Sequence, residues 1–262
     1  MKNIVVLIDF TGGSAVALKQ AISLSKHTHA LVTGLHIVSS PEKVKHAEEE
    51  LDTFISKYDG EVTVGKMVVV GSLIQAAEDA LRKINPDLVM VCTHGVKGMY
   101  QYLFGAQILK LVQAIPFPCL VVHENKGIDL TQEKSILLPI GPHPDFMLKT
   151  HQTAALAKAF GANIIIYRID RPGNDFQKIL IQNEEDAKKY FTEQQIPYTA
   201  VLEDIEVVSV GYSRQTINFA VKHNIGIMSL MANLSPNDQM FGYSDKENFL
   251  VNEEGISVLC CN

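Results

Sequence analysis

In the stretch VCTHGVKGMYQYLFGAQ, Gly95, Gly98 and Gly105 punctuate a loop running from an apolar segment to an amphipathic one. Glycine at a strand exit and again at a helix entrance lets the backbone approach an anion closely and turn its N–H groups toward it. The chemistry on offer is a phosphate cradle. His94 and Lys97 sit in the same loop and are of types that can meet a phosphate, although a locally bonded histidine and a solvated lysine are the commoner outcomes. Far upstream, Asp9 ends the first apolar run and the turn TGGS follows from Thr11. No GxxxxGK[ST], HExxH or nucleophile elbow occurs, and His27, His29 and His36 are scattered without ligand spacing. Cys92, Cys119, Cys260 and Cys261 show no CxxC spacing and read as buried thiols.

A cradle of this kind must be positioned by strands and helices in alternation, and the chain supplies them. Ile4–Ile8 is a continuous apolar run, as expected of a strand buried on both faces of a parallel sheet. Leu18, Ala21, Ile22 and Ser25 then share a helical face, with Ser14 expected as N-cap. Ala30–Val38 is a second strand, and Ser40-Pro41 opens a helix presenting Val44, Ala47, Leu51, Phe54 and Tyr58. Residues 61–70 form a third strand, Gly71-Ser72 a turn, and Leu73–Ile84 a third helix ended by Asn85-Pro86. Leu88–Cys92 is strand four, Ile108, Leu111, Val112 and Ile115 form the inward face of helix four, and Pro118–Val122 is strand five. Five strands alternating with four helices make a doubly wound parallel sheet.

The spacing then restarts. KSILLPI from Lys134 answers KNIVVLI from Lys2. Strands are expected over 161–169, 198–203, 226–231 and 257–261, and helices over 176–194 and 212–223. The expectation is an α/β protein of two repeated, doubly wound five-stranded domains, residues 1–125 and 134–262, with the second a degenerate copy.

Composition excludes several classes of function. Nearly half of the 262 residues are apolar and a fifth are charged, so a folded chain is expected throughout. The formal net charge is −6, with 11 Lys and Arg against 12 Asp and Glu through Asn125 and 12 against 17 beyond. That balance argues against nonspecific binding to nucleic acid or to an anionic membrane. The N-terminal apolar run is broken at Asp9 and is too short for a signal segment or a membrane span, so a cytoplasmic protein is expected.

Cys92, Gly95, Gly105 and Ala106 resemble the nucleotide motif of the universal stress proteins, which reads Gly, two residues, Gly, nine residues, Gly and then Ser or Thr. The intervals are intact and two of the four identities match. His94 before Gly95, the PFPCLVV ending of the half and Asp9 after strand one add to the likeness. The resemblance implies the adenine nucleotide alpha hydrolase-like fold and a stress-response protein that binds ATP or AMP in its first domain without catalysis. The implied site comprises Asp9 near adenine and ribose, Cys92, Gly95, and the amides of Gly105, Ala106 and Gln107 at a helix N-terminus. Val38 and Gly71 would line the cleft at the strand ends. A role for Mg²⁺ is left open.

The departures are Cys92 and Ala106. Losing the hydroxyl at Ala106 costs roughly 0.5–1.5 kcal/mol for a neutral hydrogen bond, so binding weaker by about one to two decades is expected from both changes together. Aligning Gly242 with Gly105 puts Ser229, Ala232 and Tyr243 at the other motif positions and Gly141 opposite Asp9, and the loop from Met231 to Tyr243 carries Asp238 and no Lys or Arg. No nucleotide is expected there. TGGS is similar to the pyrophosphatase loop SGGxDS, but Ala15 and Val16 replace its Asp-Ser, and a plain turn is expected. Because single-domain relatives usually dimerise, the halves are expected to pack as an internal pseudo-dimer through their fifth strands. The alternative reading is a nucleotide-independent interaction protein with both sites degenerate.

Overall fold

Ile4, Val5 and Val6 are fully buried because β1 (Asn3–Leu7) has a parallel neighbour on each side and helices over both faces. The computed structural model describes residues 1–58, 60, 62–93, 105–124, 134–170, 176–204, 212–236 and 243–262. In the first half β1 is followed by α1 (Gly12–Thr28), β2 (Leu31–Val38), a short 3₁₀ turn (Pro41–Lys43), α2 (Val44–Ser56), β3 (Val64–Val70), α3 (Leu73–Ile84), β4 (Leu88–Thr93), α4 (Gly105–Ala114) and β5 (Cys119–His123). The second half comprises β6 (Ser135–Pro139), α5 (Phe146–Phe160), β7 (Asn163–Asp170), α6 (Gln177–Glu193), β8 (Tyr198–Asp204), α7 (Tyr212–Lys222), β9 (Ile227–Met231), α8 (Tyr243–Leu250) and β10 (Ser257–Cys261).

The strands form one ten-stranded sheet in the order β3-β2-β1-β4-β5-β10-β9-β6-β7-β8. Each half is parallel and reverses its winding between its first and fourth strands, β1/β4 and β6/β9. The halves meet where β5 and β10 run antiparallel, with Val121 opposite Val258, Leu120 opposite Leu259 and Cys119 opposite Cys260. Both strands are wholly buried, so the two edges that would otherwise present open backbone groups satisfy each other.

Side chains alternate between the two faces of the sheet. Ile4, Val6, Met90, Leu120, Leu259 and Cys261 join α1, α2, α5 and α6 in one core layer, whereas Val5, Val89, Val121, Val258 and Cys260 join α3, α4, α7 and α8 in the other. Both layers cross the seam, where α1 packs on α5 and α4 on α8. Side chains lock the crossing: Gln113 Nε2 donates to Ala232 O at 3.0 Å and Asn262 Nδ2 to Val112 O at 2.7 Å. All four cysteines are buried and unbridged.

Two local expectations need correction. Thr11, rather than Ser14, caps α1: Thr11 Oγ1 accepts from Ser14 N at 3.3 Å. Ser14 lies inside the helix, buried, and donates its hydroxyl to Thr11 O at 3.1 Å. The cap falls earlier because both glycines of TGGS take helical conformation instead of forming the turn. The third strand begins at Val64 instead of residue 61, of which nothing is described. No described helix is long and apolar enough to cross a membrane.

Candidate functional site

The site is built at the carboxyl ends of β1, β2, β3 and β4, around the first half's winding reversal, which is where open α/β sheets leave a crevice. The chain leaves β1 through Ile8, whose N–H still donates to Leu35 O at 2.9 Å. It then turns sharply at Phe10, a non-glycine residue with φ of 63°. That strained conformation is sustained by packing: the Phe10 ring lies 4.3 Å from the His36 ring and 5.7 Å from that of Phe54. Between them Asp9 emerges with its carboxylate tied down, Oδ1 accepting from Thr11 N at 3.1 Å and from Thr11 Oγ1 at 2.5 Å. His36 Nδ1 lies 2.7 Å from Ile8 O, which requires the proton on Nδ1 and fixes the ring beneath the turn.

The far wall comes from β3. Gly71 takes φ of 152°, a conformation that disfavours side chains, and its N–H donates to Val38 O at 2.9 Å, joining the ends of β2 and β3. Ser72 then caps α3 with no side-chain hydrogen bond to that helix. On the other side, Cys92 is the next-to-last residue of β4, with its Sγ 3.5 Å from Thr93 O. Burial pushes the Cys92 thiol far up, and the nearby carboxylates of Glu124 and Asp9 push it further. Glu124 approaches the N-terminus of α1 through space that only glycine leaves open, since a Cβ on Gly12 would lie 2.4 Å from Glu124 Oε1.

These walls enclose an open cavity of about 500 Å³ lined by Asp9, His36, Val38, Gly71, Ser72 and Cys92, among others. That volume is within the range of small-molecule sites. Asp9, Val38, Gly71 and Cys92, proposed from sequence, thus lie together. Gly105, Ala106 and Gln107 form the first turn of α4, the helix after β4, so their N–H groups are among those a helix leaves unbonded. Gly95, with His94, Lys97 and Gly98, lies outside the described residues. His36, Ser39, Lys43 and Ser72 also line the cavity and were not singled out from sequence. Their signal is position alone, since each falls at a strand's carboxyl end or at the helix start that follows. Among the described residues no group of three or more His, Cys, Asp or Glu is placed to hold a metal.

The second half differs at the same place. Ser229 is buried in β9 and donates to Leu137 O at 3.3 Å, and Ala232 is buried beyond it. Gly242, the aligned glycine, lies outside the described residues. The crevice contracts to about 20 Å³, lined by Gly141, Tyr212 and Phe249 together with Lys149 and Lys246. The loop lacks basic residues, as read from sequence, but the tertiary structure brings in two lysines from helices.

Fold and crevice define a doubly wound α/β protein whose two halves repeat the same order of elements. Residues 1–123 match the universal stress protein family. Over the whole length the fold is similar to that of a universal stress protein from Archaeoglobus fulgidus DSM 4304, at TM-score 0.70 and 9% identity, covering 99% of this chain and 98% of that one. It is also similar to a protein of unknown function from Pseudomonas aeruginosa PAO1, at TM-score 0.65 and 16% identity, covering 100% of this chain and 92% of that one. At such identities the likeness concerns the fold alone. Comparison with curated proteins gives no match.

Proposed function

We propose that the first half binds an adenine nucleotide, ATP or AMP, as a regulatory ligand, and that the protein acts in the cytoplasm by binding rather than by turnover. One observation carries this reading: Asp9, Val38, Gly71 and Cys92, distant in sequence, line one cavity of nucleotide size at the β1/β4 reversal. In this reading the Asp9 carboxylate accepts from ribose hydroxyls or the adenine amine, and Val38 with its apolar neighbours flanks the base. The phosphates turn toward the amides of Gly105, Ala106 and Gln107, where the dipole of α4 favours negative charge. Asp9 and Glu124 oppose a phosphate at the Cys92 wall, and a divalent cation carried with ATP would relieve that repulsion. Burial and two nearby carboxylates hold the Cys92 thiol protonated, so this residue is a poor nucleophile.

A second reading, a nucleotide-independent interaction protein, draws on the same acidic wall and on Ala106, which lacks a hydroxyl for phosphate. Native mass spectrometry of freshly purified protein, followed by calorimetric titration with ATP and AMP with and without Mg²⁺, separates the two. The nucleotide reading expects a saturable isotherm in the wild type, abolished by Gly105→Val and unchanged by Gly242→Val. Absence of binding at millimolar nucleotide leaves the second reading standing. Loss of binding in folded Gly242→Val would place the site in the other half.

A further inference from the structure

The seam between the halves sets two thiols face to face. In the antiparallel pairing of β5 with β10, Cys119 is directly opposite Cys260. Directly opposed residues of an antiparallel pair project to the same side of the sheet, and both cysteines belong to the core layer of α3, α4, α7 and α8. Both are fully buried and neither is bridged. Burial pushes the Cys260 thiol well up, and the neighbouring Cys119 sulfur pushes it further.

The spacing suits a covalent link. Opposed Cα atoms in an antiparallel pair lie about 4.5–5.5 Å apart, inside the span of about 4.4–6.8 Å that a disulfide bridges. Their Cβ atoms, about 4.5–5.5 Å apart, need to approach by only on the order of 1 Å to reach disulfide distance. Register excludes the other two cysteines. Cys92 is beside Val122, three residues along β5 from Cys119, and packs in the opposite core layer. Cys261 follows Cys260 in β10 and turns to that opposite layer as well. Because β10 runs against β5, Cys261 lies by the start of β5 and Cys92 by its end.

We propose that Cys119 and Cys260 form an oxidation site at which a peroxide converts the two thiols into one disulfide, fastening the halves covalently across the seam. One sulfur attacks the peroxide O–O bond and becomes a sulfenic acid, releasing water. The second sulfur displaces the sulfenic hydroxyl as another water; two S–H bonds break, one S–S bond forms, and the peroxide takes up both electrons and both protons. The first attack needs a thiolate in contact with the oxidant, so it waits on transient separation of β5 from β10. When the strands close again, their register returns the sulfenic acid to its partner in a dry interior. The bond closes a loop of more than half the chain, and long loops gain most from closure. The site is independent of the nucleotide cleft.

The test is exposure of the full chain to hydrogen peroxide in urea just below its unfolding transition, followed by alkylation, digestion without reduction and mass spectrometry. A peptide pair joined through Cys119 and Cys260 is expected. After urea is removed, Tm should exceed that of untreated protein by about 5–15 °C and return with dithiothreitol. Cys119→Ala and Cys260→Ala should each lose both effects, whereas Cys261→Ala should keep both. Should a variant fail to fold, fragmentation of the wild-type peptide pair assigns the bridge by itself. Cysteines left unlinked or carrying only added oxygen, a bridge through Cys92 or Cys261, or a Cys119–Cys260 bridge that leaves Tm unchanged or lower would each overturn the proposal.

Discussion

Replacing Gly71 with alanine tests whether the geometry of the β3 end builds the cleft. The residue holds φ of 152°, and a Cβ added to it would lie 3.0 Å from the Cβ of buried Ala76 on α3. A backbone conformation of this kind costs a non-glycine residue about 1–3 kcal/mol. Loss of glycine's freedom in the unfolded chain returns roughly 0.4–1 kcal/mol. The contact with Ala76 adds to the cost, because two packed Cβ atoms have no flexible tail to move aside and α3 itself must shift. A net loss of about 1–2 kcal/mol corresponds to a fall in Tm of roughly 2–8 °C for a chain of this size. The same shift disturbs the hydrogen bond from Gly71 N to Val38 O that joins two walls of the cleft. Nucleotide Kd is expected to rise about tenfold, which is about 1.4 kcal/mol. Differential scanning fluorimetry and calorimetric titration read the two effects separately. Wild-type Tm and wild-type Kd together would refute the reasoning, and lowered Tm with unchanged Kd would detach the cleft from its proposed ligand.

At the seam, Leu120→Ala or Leu259→Ala removes a fully buried side chain from the β5/β10 pair and is expected to cost about 2–5 kcal/mol. Because both core layers cross the seam, urea unfolding followed by probes in either half should shift together; destabilisation of one half alone would contradict a shared core. Burial raises all four thiols above their ordinary value of 9.0. The native chain therefore keeps protons that the unfolded chain loses, so the thiol contribution is intact well below pH 9 and declines as the pH rises through it. Between about pH 8.5 and 9.5 the four together remove roughly 2–3 kcal/mol. Urea midpoints across that window should fall, and fall less in Cys92→Ala; an identical slope in the variant would disprove the Cys92 part.

Leu73–Ile84 and Ser257–Cys261 were legible in sequence at their observed boundaries. In the first, Gly71-Ser72 and Asn85-Pro86 stop the helix by local backbone chemistry; in the second, an unbroken apolar run signals a strand covered on both faces. The cleft residues Asp9, Val38, Gly71 and Cys92 were legible for a related reason, since strand ends and the turns after them are marked by residue type. His36 was not legible, because a histidine in an apolar strand becomes part of a site only when Phe10 folds back over it. The cap of α1 was misread because Thr11 and Ser14 are equally good capping types, and the choice depends on whether Gly12 and Gly13 are helical. Glu124 acquires its position only through the approach that Gly12 permits.

By itself, then, the sequence determined the repeat, the order of strands and helices, and the spacing of the first crevice. Those features follow from apolar periodicity and from glycine and proline, which act over a few residues. The tertiary structure alone decided three others: the antiparallel joining of β5 to β10, the approach of Glu124 to Gly12 and the Cys92 thiol beside the first crevice, and the two lysines that enter the second. An apolar strand reads the same whichever direction its neighbour runs, and a charge on a helix does not reveal which strand end it will reach. Partner, direction and field are long-range properties, fixed only when distant segments are packed together.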